Sequence, residues 1–421
     1  MSDTGWNVRE VADLPALRRD PVDPKTLAEA AAIVQDVRTR GADAVREHAI
    51  RLGDLQEGAP LCLGPQRLRE ALVNLPADQR DLLLRVGDRV AAFAQAQRKS
   101  VVELDFPIPG GRAGHNIAPV ERAGCYAPGG RFPLPSSVIM TALTARVAGV
   151  ETVWVASPRP QPITLAAAAL SGADGLLAVG GAQAIAALAY GAGEVPACDA
   201  VVGPGNRWVT AAKQLVSGRV RIDMLAGPSE LVVLADGTAD PVTVAADLLA
   251  QAEHDPDAVP ILVAVDADLP ARVDAELSVQ LATLPTADTA RKALANGFAV
   301  IVRDVPEGVA VCNRLAPEHL ELLLASPEEA RAGLRHYGGL FVGEATAEVL
   351  GDYGAGPNHT LPTGGTARFS GGLSVLTFLR HRTWIRVDDL AEAEPLVRDA
   401  AALARLEGLE AHARSAERRQ K

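Results

Sequence analysis

Four of the eight histidines of this chain lie in dense polar contexts in its second half: His254 in "QAEHD", His319 in "APEHLEL", His359 in "GDYGAGPNHT" and His412 in "EGLEAHA". Each has a carboxylate or carboxamide close by in sequence: Gln251 and Glu253, Glu318, Asp352, and Glu407 with Glu410. Any one of these histidines, taken alone, reads more readily as a hydrogen-bonded surface or core residue than as a functional one. As a set they offer nitrogen and oxygen donors without thiolates, the ligand chemistry of zinc or another borderline divalent metal. The HExxH spacing is absent, which disfavours a zincin protease. Glu318 and His319 place an acid beside an imidazole, a pairing suited to general acid–base work that commonly contributes ~100- to 10,000-fold. A loop ion pair is the alternative reading of that dipeptide.

These residues need elements to position them. "DPVTVAADLLAQAEHD" predicts an amphipathic helix in which Asp240 caps, Pro241 takes the first helical position, and Val244 and Leu248 share the apolar face. Gln251 and His254, at i and i+3, fall on one side of its last turns, and Asp255 and Pro256 end it. A helix end with one neutral oxygen and one neutral nitrogen suits a metal that keeps open positions. With a single carboxylate among the protein ligands, such a site stays net positive and accepts neutral amine or imidazole nitrogens from a substrate. If "APEHLEL" is a loop entering the strand "LELLLA", Glu318 and His319 reach one cavity.

Residues 24 to 100 read as helices. From about 117, short apolar runs alternate with Ala-rich helical stretches: "SSVIMTALTARVAGV", "ETVWVAS", "ITLAAAALSGA", "DGLLAVG", "AQAIAALAYGA", "DAVVGPG". The alternation resumes with "ELVVLAD", the helix 240–254, "AVPILVAVD" and "GFAVIVRD". The expectation is an α/β protein with two doubly wound, mainly parallel units, a helical N-terminal part and a polar helical tail from about Asp388. A GxGxxG fingerprint is absent. Three Gly-rich turns, 125–137, 179–191 and 201–209, follow successive strands and argue for a nucleotide-sized ligand at the carboxyl edge of one sheet. The turn-rich stretch 354–372, "GAGPNHTLPTGGTARFSGG", reads as a loop shaped for function.

The bulk properties narrow the classes. A chain of 421 residues with 48% hydrophobic content supports more than one core, and 4% aromatic residues means that Ala, Val, Leu and Ile must build them. A net charge of −11 without a basic block disfavours nucleic-acid binding. No apolar run approaches the ~20 residues of a membrane span, and "MSDTGWNVRE" shows no secretory pattern. Cys62, Cys125, Cys198 and Cys312 are widely spaced, as expected of reduced thiols, and the expected location is cytoplasmic.

Against this background, eight blocks resemble the successive signatures of the histidinol dehydrogenase family: "YAPGGRFPLPSSVIMTALTARVAGV", "VGGAQAIAALAYG", "VVGPGNRWVTAAKQLV", "IDMLAGPSELVVLAD", "QAEHDPDA", "LAPEHLEL", "GPNHTLPTGGTARFSGGLSV" and "EGLEAHA". The resemblance spans about 25 to 415. It implies a zinc-dependent, NAD-linked enzyme of histidine biosynthesis that oxidises L-histidinol through L-histidinal to L-histidine with two NAD. It implies one Zn2+ per subunit on Gln251, His254, Asp352 and His412, and Glu318 and His319 as the catalytic pair. Substrate contacts would fall on Ser229, Gln251, His254, His319, Asp352, His359, Glu407 and His412. NAD contacts would fall on Tyr126, Gln183 and Asn206. The implied fold has two incomplete Rossmann-like domains: 1–125 with 232–372, carrying the metal and catalytic residues, and 126–231, binding NAD. A helical tail, 373–421, reaches the partner of a homodimer, so that the active site is shared between subunits. The competing readings are a zinc- and NAD-dependent dehydrogenase of another polyol or hydroxy compound such as a sulfonated diol, a metal-dependent hydrolase in which Glu318 activates water without NAD, and a non-enzymatic zinc scaffold.

Overall fold

The structure, a computed structural model, describes residues 6–14, 20–129 and 132–419. Residues 130–131 of the glycine turn at 125–137 lie outside that set, as do 1–5, 15–19 and 420–421.

Two six-stranded sheets organise the chain. The first is parallel throughout, in the order Asn7–Arg9, Phe298–Ile301, Val259–Ala264, Glu230–Ala235, His319–Leu323, Gly339–Val342. The second runs Cys62–Leu63, Gly175–Leu177, Thr152–Ala156, Arg122–Tyr126, Ala200–Val202, Arg221–Ile222, and all but its first strand are parallel. Strands such as Glu230–Ala235 and Val259–Ala264 are buried at all six positions, as a parallel sheet covered on both faces requires. This is the doubly wound α/β architecture expected.

The helices Pro24–Arg40, Ala42–Arg51, Pro65–Asn74 and Ala77–Ser100 do not accompany the 232–372 unit, where the sequence reading grouped them. They pack on the sheet of 122–222. Val34, Val37 and Val45 join Ile185, Leu188 and Val201 in one cluster, and Leu68 and Val90 join Ile139 and Val155 in another. The reason lies in the Ala-rich helices. Gly181–Tyr190 buries every residue from Ala182 to Ala189, so its outer side is as apolar as its inner side and needs a second layer of helices. Of the N-terminal part, residues 6–14 join the first sheet, through the Asn7–Arg9 strand and the buried Trp6 and Leu14.

The tail is also not helical from 373. Leu379–Val387 is a nine-residue strand antiparallel to Gly111–Pro119, which pairs in turn with Leu104–Ile108. Two helices follow, Glu394–Leu406 and Glu410–Glu417, parted by Gly408 at φ +79°, a left-handed conformation that suits glycine.

Candidate active site

The helix Pro241–His254 is capped by Asp240, whose carboxylate accepts from the Val242 N–H at 3.1 Å, and it buries Val244 and Leu248 completely. It runs back along the sheet, so its C-terminal end returns to the amino edge of Glu230–Ala235. Ser229 stands at that edge. So do Glu318 and His319, because His319 opens its strand in register with Leu231. The helix before that strand, Val305–Leu315, stops on Ala316 in the left-handed region (φ +52°), which turns the chain into Pro317 and Glu318. Asp352 closes the short helix Val349–Asp352, and His359 comes from the Gly-rich loop.

These side chains meet. His254 Nε2 lies 3.2 Å from Asp352 Oδ2, and its Nδ1 lies 3.0 Å from the Ala250 carbonyl. Buried His319 has Nδ1 3.3 Å from Gln251 Oε1. Ser229 Oγ donates to Glu318 Oε2 at 2.5 Å, and the Glu230 N–H donates to the same oxygen at 3.2 Å. His359 Nδ1 lies 3.1 Å from the Asp352 carbonyl, while its Nε2 lies 3.4 Å from Ser137 Oγ on the second unit. The pocket therefore lies on the amino edge of the first sheet and touches the second unit through Ser137.

The pocket's electrostatics divide its groups. The hydrogen bond that His254 donates to Asp352 raises His254 to about 9 against the opposing effect of burial. Burial lowers His319 to about 4 and also lowers His359. Burial lifts Glu318 well above the usual carboxylate range, with the Ser229 hydroxyl pulling the other way. Burial opposes ionisation of Asp352 as well, but the His254 hydrogen bond and the surrounding imidazoles outweigh it, and its carboxyl titrates lower than usual.

A divalent metal fits this donor set. Nδ1 of His254 is engaged by a backbone carbonyl, which leaves Nε2 as the ligand atom, the usual way a protein fixes a metal-binding tautomer. Gln251 is fully buried, and its Nε2 has no hydrogen-bond partner. The sequence reading missed Glu348. It is fully buried, neither of its oxygens accepts a hydrogen bond, and Oε1 lies 3.3 Å from His319 Nε2. Ligand atoms of His319, Glu348 and Asp352 all fall within 4.8 Å of one another. The available signal was the i, i+4 pair Glu348–Asp352 just ahead of the Gly-rich loop. Glu407 and His412 are exposed on the tail. Among the described residues, neither side chain hydrogen-bonds or ion-pairs with Gln251, His254 or Asp352.

A second site occupies the carboxyl edge of the other sheet. Tyr126, Gln183 and Asn206 line one cleft of about 840 Å³, with Gly180, Gly181, Asp54 and Arg159 on its walls. Tyr126 ends its strand and accepts from the Gly181 N–H at 3.3 Å. Asn206 caps Arg207–Val216 by accepting from the Trp208 and Val209 N–H groups. Gly203, at φ +117°, lets the preceding turn pass against Tyr126, since a Cβ there would overlap the Tyr126 carbonyl.

A polar pocket on one Rossmann-like unit beside a nucleotide-sized cleft on another is the layout of a two-site α/β enzyme. The family model for histidinol dehydrogenase matches residues 17–420. The histidinol dehydrogenase of Thermus thermophilus is 48% identical over 396 residues, covering 93% of this chain and 94% of its own. That of Dechloromonas aromatica is 46% identical over 395 residues, covering 91% and 90%. The crystal structure of the histidinol dehydrogenase from Elizabethkingia anophelis aligns with a TM-score of 0.90 at 28% identity, covering 99% of this chain and 98% of that one. The chain belongs to the histidinol dehydrogenase family.

Proposed function

We propose that this protein carries out the zinc-dependent, NAD-linked oxidation of L-histidinol through L-histidinal to L-histidine, the last steps of histidine biosynthesis, in the cytoplasm. The observation that carries the reading is the convergence of Ser229, Gln251, His254, Glu318, His319, Asp352 and His359 at one sheet edge in a chain of this family. Gln251, His254 and Asp352, with His412 of a second copy, would hold the metal. When bound, zinc would fix the imidazole and amine nitrogens of the substrate, and NAD would accept the hydride of each oxidation.

This chain's residues supply the rest. His319 is neutral at pH 7 because burial lowers it to about 4, so it is free to accept the proton of the substrate hydroxyl. The second oxidation needs water added to the aldehyde. Glu318 would take that proton, its carboxylate oriented by the Ser229 hydroxyl and the Glu230 N–H. Ser229 and His359, with Glu407 of the second copy, complete the substrate contacts. Tyr126, Gln183 and Asn206 would carry the dinucleotide.

The test is NADH formation from L-histidinol beside a panel of diols and amino alcohols. The expected result is turnover of L-histidinol with two NADH per molecule consumed, lost on chelation and restored by Zn2+. Turnover of a sulfonated diol with none of L-histidinol would replace this reading by the polyol one.

A further inference from the structure

Asp54 follows the helix Ala42–Arg51 and reaches into the cofactor cleft. Its Oδ2 accepts from the Gly180 N–H at 3.0 Å and from Gln183 Nε2 at 3.4 Å. Gly180 is the N-cap of Gly181–Tyr190, the kind of helix end that in dinucleotide folds receives a phosphate. Here the chain fills that anion position with its own carboxylate.

Gln183 supplies the second observation. It is 1% exposed, and its Oε1 has no hydrogen-bond partner. Turning the amide over would not help, because that would set its oxygen against the Asp54 carboxylate. The subsite therefore presents acceptors, Asp54 and Gln183 Oε1, and calls for a ligand that brings donors. Vicinal hydroxyls meet that demand, and a phosphate does not. Glu29 adds a further carboxylate to the cleft, Asp36 is already paired with Arg40, and Arg51 and Arg159 also line it, with the Arg159 charge acting on Asp54.

Strand order indicates which end of the dinucleotide binds here. Gly175–Leu177, which leads to Gly180, lies on one side of Arg122–Tyr126. Ala200–Val202 and Arg221–Ile222, from which the chain passes to Ser229 and the catalytic pocket, lie on the other. The Gly180 turn is thus on the side away from the reacting carbon, where the adenosine half belongs.

We propose that Asp54 and Gln183 hold the 2′- and 3′-hydroxyls of the adenosine ribose, and that Asp54 is the residue that excludes a 2′-phosphate and selects NAD over NADP. This rests on the reading of the cleft as the cofactor site. The test is calorimetric titration of the purified protein with NADH and NADPH, for the wild type, Asp54→Asn, Asp54→Ser and Asp54→Ser/Arg159→Ala. Asp54→Asn keeps an acceptor for the Gly180 N–H, and its melting temperature reports whether the fold is retained. The wild type should favour NADH, and both single variants should narrow that preference by ~10-fold or more, since removal of a like charge opposite a phosphate has effects of that size. Adding Arg159→Ala should cancel the NADPH gain of Asp54→Ser, because Arg159, whose charge acts on Asp54, would then be the cation facing the 2′-phosphate. Folded Asp54 variants that keep the wild-type ratio of the two affinities overturn the assignment. An Asn206→Ala variant with unchanged NADH affinity removes the cleft itself as the cofactor site, and the Asp54 assignment with it.

Discussion

His254 and His319 share a pocket and titrate in opposite directions, because the hydrogen bond to Asp352 dominates at His254 and burial dominates at His319. The consequence for His254 is a proton. In the metal-free protein Asp352 keeps it protonated up to about pH 9, and a metal takes the lone pair only after that proton leaves. Zinc uptake at about pH 7.5 should therefore release close to one proton from this residue, and zinc affinity should rise about tenfold per pH unit until about pH 9. Calorimetry in buffers of different ionisation enthalpy measures the release, and the absence of any release would count against the His254–Asp352 pair as ligands. The sign for stability runs the other way. A folded-state pKa raised above 6.5 stabilises the metal-free protein fully below about pH 6.5, and that contribution fades as pH rises through about 9. The proposed roles of Glu318 and His319 give a second expectation. Glu318→Gln should slow aldehyde oxidation more than alcohol oxidation, whereas His319→Asn should slow both, each by ~100-fold or more in the affected step. Single-turnover rates with L-histidinol and L-histidinal separate the two, and equal losses in Glu318→Gln would end the division of labour.

At the scale of elements, what was legible in the sequence depended on how each element is buried. Strands buried on both faces, such as Glu230–Ala235, announce themselves as apolar runs, and the Asp240–Pro241 start and Asp255 end of the Gln251/His254 helix carry explicit signals. The strand Leu379–Val387 gave no such signal. In the single chain it is exposed at seven of its nine positions, so no face of it alternates cleanly. Glu348 and Asp54 stayed hidden because a buried carboxylate has no periodicity; only its neighbours in space reveal it. The turn before Asn206 shows the same limit. Lys213 ion-pairs with Asp223 in full burial and donates to the Gly203 carbonyl at 2.9 Å, while Asp223 accepts from the Gly203 N–H at 2.7 Å. The pair clamps the N–H and the carbonyl of Gly203 beside the cleft that holds Tyr126, Gln183 and Asn206. Lys213→Met leaves the buried Asp223 carboxylate without its cation, held only by backbone N–H groups, and should cost ~3–5 kcal/mol, read by urea denaturation. It should also weaken NADH binding through the loosened turn, whereas a loss below about 1 kcal/mol would show that the clamp carries little of the fold's stability.

At the scale of the whole molecule, the single chain leaves two things unfinished. The three-stranded arm and the tail expose Phe106 (59%), Ile385 (75%) and Leu406 (86%), more apolar surface than one extended arm keeps in water without a partner. Glu407 and His412, which the family resemblance assigns to the active site, are exposed and joined to none of the other site residues. Gly408 explains how the two could still act together. It ends one helix at Leu406 and lets the next begin at Glu410, so the 140° splay expected of positions five apart on an unbroken helix does not apply. A second copy receiving the tail would resolve both features, covering the apolar arm and completing the pocket. Refolding a mixture tests this directly. His412→Ala and His319→Ala are each expected to be inactive. If tails cross over, a mixed dimer has one site carrying both defects and one carrying neither, so an equimolar mixture that assembles at random should recover about a quarter of wild-type activity. If each tail serves its own chain, every site keeps one defect and the refolded mixture stays as inactive as its components.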